Sequence, residues 1–341
     1  MRILLLIPLA LAGSPRATDV QFAPTSGETL RRTFVATHDL VLEGFKQTLA
    51  DGEPVQLPGG ARFVSKQRLV FDDEVGEVRD ARPLSLRRRY VALESSGDLA
   101  PPEVEGVIRA TASSPLVGAS VLYTWVPEEG DYGRFYDARE ESEDLLPGTA
   151  VDPFLAQLAP PADGAAAPAS WVVPAGELMG LLAPGGDLGF SPGEDREGRR
   201  MARTMVNGVG GGLETAFAGA AEGELTVTRG DLEEDEGGRE WLVHKLSLSG
   251  RWRANVTERL NDTLLGREQE QGSSFEHGTL TLGLSGNGRL LIDPTTGRPG
   301  RLELECTEDV SMRIVEVLPG GARFRQEMAM RGRLSIEHEA R

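Results

Sequence analysis

The chain holds one cysteine, Cys306, in 341 residues, so no internal disulfide can form and a small disulfide-stapled scaffold is excluded. Lysine is nearly as scarce, with Lys46, Lys66 and Lys245 alone, and arginine supplies the rest of the positive charge. The 36 Lys and Arg are outnumbered by 53 Asp and Glu, for a net charge of −17. Such a surface repels phosphate backbones, so nucleic acid is not an expected partner. No apolar run reaches the roughly 20 residues of a membrane helix, and no transmembrane span is expected. The motifs that name a reaction are missing as well: there is no P-loop, no G-x-S-x-G, no H-E-x-x-H and no paired-cysteine metal spacing. A glycine run at 207–213 has Leu213 where a dinucleotide fingerprint needs its third glycine. No cofactor is expected.

What is present begins with Met1-Arg2, followed by about ten apolar residues that end in Ala10-Leu11-Ala12. A positive start, an apolar stretch too short to span a bilayer and an A-x-A ending make a secretory signal peptide over 1–12. The expected location is therefore outside the cytoplasm, periplasmic or extracellular. No cysteine follows the cleavage site to take a lipid.

The clearest structural signal is alternation near the other end. Leu302, Leu304, Cys306, Val310, Met312, Ile314 and Leu318 are all even, and the odd positions between them are polar. A period of two puts one set on a buried face and the other in water. The pattern resumes after Pro319-Gly320-Gly321 with Phe324, Met328, Met330, Leu334 and Ile336 still even. Parity survives only an odd loop, which predicts a three-residue turn. Similar alternation around 30–42, 63–75 and 242–256 predicts further long strands. A turn is expected at Ser285-Gly286-Asn287-Gly288, another at 293–297, and a bulge or bend at Gly250. The acidic run at 231–238 reads as a solvated hairpin loop, and Arg87-Arg88-Arg89 as an outer face. Leu-Pro-Gly-Gly-Ala-Arg-Phe occurs at both 57–63 and 318–324, either a duplicated hairpin or one turn chemistry chosen twice.

The fold class is therefore mainly β: a long-stranded antiparallel curved sheet or half-barrel with a small helical insertion. The chain divides into an N-terminal β region at 13–136, a Pro/Gly-rich helical insertion at 137–215 and a C-terminal β region at 216–341, the two β regions sharing one core. Short helices are expected near 174–182 and 194–206.

Two sets of residues bear on function. Leu246, Leu248, Trp252, Met312, Phe324, Met328 and Met330 form an adaptable apolar face, suited to an irregular apolar ligand or to an ordinary core. Three of the four histidines, His38, His244 and His338, share the apolar parity of their strands, as does Glu308. An odd loop at 319–321 sets Glu308 opposite Gly332, where no side chain covers it and room is left for a ligand or metal.

Exported long strands wrapping a helical insertion resemble the open-barrel periplasmic carriers of the LolA-like and LppX-like kind. The chain is also similar to exported bacterial β-rich families of unknown function with a Ser-Trp before the central helix and a D-P-x-T-G-R turn, here Ser170-Trp171 and Asp293-Pro294-Thr295-Thr296-Gly297-Arg298. The resemblance implies a curved sheet that holds an apolar guest. The expected role is a non-catalytic binding or envelope-associated module for an apolar small molecule or an envelope protein. The alternative is a secreted metal-dependent hydrolase built on His38, His244, His338 and Glu308.

Overall fold

The computed structural model describes residues 22, 24–50, 52–57, 59–80, 82–102, 106–137, 143–151, 155–161, 168–192, 212–263 and 272–341. The expected signal peptide at 1–12, the helix at 194–206 and the glycines at 207–211 lie outside these residues. In chain order the strands are β1 Thr29–Leu49, β2 Val55–Leu57, β3 Arg62–Val75, β4 Val78–Arg79, β5 Arg82–Pro83, β6 Ser85–Ala100, β7 Ile108–Ser113, β8 Ser120–Val126 and β9 Asp131–Tyr136. After the central insertion come β10 Ser170–Pro174, β11 Ser191–Pro192, β12 Ala220–Thr228, β13 Leu232–Glu234, β14 Glu240–Asn255, β15 Ser274–Ile292, β16 Pro299–Val317 and β17 Arg323–Ala340.

Fifteen of them make one antiparallel sheet whose main path is β10-β12-β14-β15-β16-β17-β1-β3-β6-β7-β11. Its two edges do not pair with each other, so the sheet is open. Most of the path is a meander; β11 returns to pair β7 at one edge, and the longest-range join is in the interior, where β17 pairs β1 from Arg32↔Ala340 to Leu49↔Phe324. That seam makes the two β regions one sheet, and their inward residues fall in one apolar cluster.

Period-two alternation explains the long strands. On β16 the even residues Leu302, Leu304, Cys306, Glu308 and Val310 are buried and the odd ones between 305 and 313 are exposed. Leu318 and Ala322 close the three-residue turn, with Gly320 and Gly321 both at positive φ, the conformation glycine reaches without Cβ strain. The turn at 293–297 is held by Asp293 Oδ1, which accepts the amides of Thr295 and Thr296.

Three expectations need correction. The glycines at 286 and 288 are not a turn, because β15 runs unbroken through them. A Cβ at either would collide with the β16 carbonyls of Glu305 and Glu303, so both glycines permit close strand approach. Gly250 makes no bulge; β14 keeps its register there, and the Trp252 indole lies over the space a side chain would fill. The two Leu-Pro-Gly-Gly copies are not equivalent: the second is a tight hairpin, whereas the first leaves β2 and delivers the chain to β3.

The concave face is filled by the insertion. Leu146, Leu155, Leu158, Leu178, Leu181 and Leu188 join the sheet's own core. Trp171 Nε1 donates to Leu158 O at 3.0 Å and Trp252 Nε1 to Ala175 O at 3.3 Å, so each indole buries its ring with its polar atom satisfied. A short helix at 179–182 bears out the expectation for 174–182.

Candidate functional site

Glu308 lies opposite Gly332 on β17, and Gly332 opposite Leu40 on β1, as the odd loop requires. Its carboxylate is wholly buried. The space over Gly332 is not vacant, because His38 leans into it from β1. His38 Nδ1 is 3.0 Å from Oε1 and 2.9 Å from Oε2 of Glu308, donating to both carboxylate oxygens. A Cβ on residue 332 would strike the Asp39 carbonyl, so glycine alone lets the two side chains meet across β17. The room expected for a ligand or metal is thus taken up by the hydrogen-bonded His38–Glu308 pair.

The other inward histidines stand apart from this pair. His338, buried, donates from Nε2 to Leu181 O at 2.8 Å and packs against Phe34 with ring centroids 4.7 Å apart. It fastens the insertion to the sheet. His244 is buried edge-on to Trp171, and burial, with Arg229 nearby, holds it below the usual histidine range, so it is neutral. His338 pairs with Leu302, Leu302 with Leu290 and Leu290 with His244, which puts three strand spacings between the two imidazoles. No group of three or more metal-ligating side chains occurs among the described residues. Cys306, two residues before Glu308 on the same face, has its thiol pushed up to about 12 by burial and by Glu308, and it stays protonated.

The apolar set divides. Leu246, Leu248 and Trp252 are packed core under the insertion, and Trp252 meets Phe217 edge to face at 5.2 Å. Met330 is buried as well, while Met312, Met328 and Phe324 are half-buried toward the far end of the strands. None of the seven lines the large cavity described next.

That cavity, of about 1480 Å³, is at the opposite end of the sheet, where β1 begins and β17 ends. Phe22, Leu30, Val75, Leu86, Tyr132 and Val151 give it an apolar wall, and the 231–238 hairpin and the 293–300 turn supply charged ones. Arg298 in that turn forms an ion pair with Glu28 just before β1. Arg32 and Asp73 sit in the wall, backed by Arg88, whose Nε and Nη2 donate to Asp73 Oδ1 and Oδ2 at 2.8 and 2.9 Å. Arg88 is fully buried against the Phe71 ring, which corrects the expectation of an outer face for 87–89; only Arg87 and Arg89 point outward. The signal was available, since Leu86, Arg88 and Tyr90 share one parity. Behind them the Tyr90 and Tyr123 hydroxyls bond at 2.6 Å, and burial raises Tyr90 well above the usual phenol range.

The hairpin is a solvated loop whose central acid is occupied. Asp235 Oδ1 accepts the amides of Gly237 and Arg239, and Oδ2 accepts Trp241 Nε1. These bonds, that of Trp241 foremost, hold its carboxyl below the usual range.

No protein-family model and no curated protein matches the chain. Among solved structures it is similar to an outer membrane channel from Pseudomonas putida F1, at 7% identity over 94% of this chain and 98% of that one, with a TM-score of 0.23. A score that low carries no argument. No helix among the described residues is long and apolar enough to cross a membrane, which says nothing of strands.

Proposed function

We propose that this is an exported, non-catalytic binding protein that holds an apolar or amphiphilic small molecule at one end of its curved sheet. The observation that carries the reading is the cavity of about 1480 Å³, with an apolar wall beside charged ones. Ligand pockets commonly have about 300–1,000 Å³, so this volume suits a chain-bearing molecule. The insertion fills the concave centre, which moves the guest from the middle of the sheet to its end. The signal-like residues 1–12 support export.

Titration with the neutral dye Nile red tests the site. Saturable fluorescence gain is expected, and Leu30→Trp, which fills the cavity from a half-exposed position, abolishes it while leaving the thermal melt near wild type. No saturable binding, or equal binding by a folded Leu30→Trp variant, overturns the reading. N-terminal sequencing of protein from the cell's exported fraction is expected to begin near Gly13. Folded cytosolic protein that retains Met1 would remove the compartment from the proposal.

A further inference from the structure

Seven arginines and ten carboxylates are among the described residues that line the cavity. The arginines are largely spent. Arg298 is paired with Glu28, Arg239 with Asp293, Arg289 with Glu303 and Arg341 with Glu339, while Arg32 shares Asp73 with Arg88. Arg301 shares Glu303, and Arg82 lies 4.0 Å over the Trp125 ring. The carboxylates are not spent to the same extent. Asp80, Glu234 and Glu236 have no ion-pair partner among the described residues, and Glu233 has only the more distant attraction of Arg289; three of these four stand on one hairpin over the cavity. An anionic head entering here must compete with carboxylates for guanidinium groups and approach uncompensated negative charge. A cationic head meets the reverse.

We infer that the guest is an amphiphile with a positively charged, ammonium-class head, its chain against the apolar wall and its head under the 231–238 hairpin. This rests on the binding reading above and adds the sign of the head.

Isothermal titration of the full chain at low salt with three twelve-carbon amphiphiles below their micellar concentrations decides it: dodecyltrimethylammonium, dodecyl maltoside and dodecanoate. The ammonium compound is expected to bind most tightly and dodecanoate least. Each step should be roughly fivefold, the effect of one charge about 4 Å away in water-like surroundings. The preference should shrink as salt screens it. Glu233→Gln, Glu234→Gln and Glu236→Gln together should reduce the ammonium preference and leave dodecyl maltoside unchanged. Leu30→Trp should abolish all three bindings, which separates cavity binding from attraction to a surface of charge −17. Dodecanoate binding as tightly as the ammonium compound, with Leu30→Trp still blocking both, overturns the head-group inference and leaves the binding reading standing. If none of the three binds, or Leu30→Trp blocks none, both fall.

Discussion

At the scale of single residues, the Glu308–His38 pair shows how a buried carboxyl depends on a residue far away in the sequence. A carboxylate with no solvent access is tolerated only beside a donor, and His38 is the donor that reaches both its oxygens. Removing one partner strands the other, so His38→Ala should cost about 3–5 kcal/mol, whereas the apolar double variant His38→Leu with Glu308→Leu should recover much of it. Urea unfolding of the single and double variants measures this; a His38→Ala protein as stable as wild type would show that the pair carries no such weight. His244 answers to pH instead. Its folded value is depressed by burial, so the unfolded chain takes up the proton first, near pH 6.5. The stability it contributes is complete above that pH and is lost as pH falls toward the depressed folded value. Melts across pH 7.5 to 5 should therefore show a decline that His244→Phe reduces, because the phenyl ring keeps the Trp171 contact and has no proton to gain.

At the scale of elements, strand parity decides whether the methionines line a void. Met330 lies between Val310 and Leu42 in the register and is buried with Val310, Leu42 being half-buried against the same core. Met330→Trp therefore adds volume to a close-packed row and should cost about 1–3 kcal/mol by thermal or urea unfolding; a neutral or stabilising outcome would mean an unfilled space beside it. The long strands, their inward faces, the three-residue turn at 319–321 and the meeting of Glu308 with Gly332 were legible from alternation alone, because a period of two leaves one register that buries the apolar set. Glycine in strands was not legible. The same residue marks a turn at 320–321 and close strand approach at 286 and 288, and only the neighbouring carbonyls distinguish the two. The occupant of the space over Gly332 was hidden for a related reason. His38 is 270 residues from Glu308, and alternation ranks faces within a strand without ordering strands across a sheet. The cavity was hidden further still, since its wall is assembled from segments as distant as Phe22, Val151 and Arg298.

At the scale of the whole molecule, the join of β1 to β17 is the contact on which the sheet depends. It links residues 29–49 to 323–340 along seventeen pairs, and both strands stand in the interior of the sheet order rather than at an edge. Two consequences follow from that placement. Contacts of such long sequence separation form only after costly loop closure, so folding should be slow for a protein of this size. Loss of β17 would also expose the inner edges of both β1 and β16, two long rows of unpaired amides and carbonyls that invite other chains. Loss of an outer element is milder: β10 is five residues long, ends in Pro174 and, among the described residues, pairs with β12 alone. A chain ending at Ala322 is therefore expected to lack a cooperative unfolding transition and to aggregate, and Val172→Pro in β10 should leave the global transition in place with reduced stability. Calorimetry of the two proteins beside the full chain makes the comparison. A cooperative transition from the shortened chain would show that 13–136 and 216–322 hold together without the seam, and the sheet would then have to be divided into two independently stable halves.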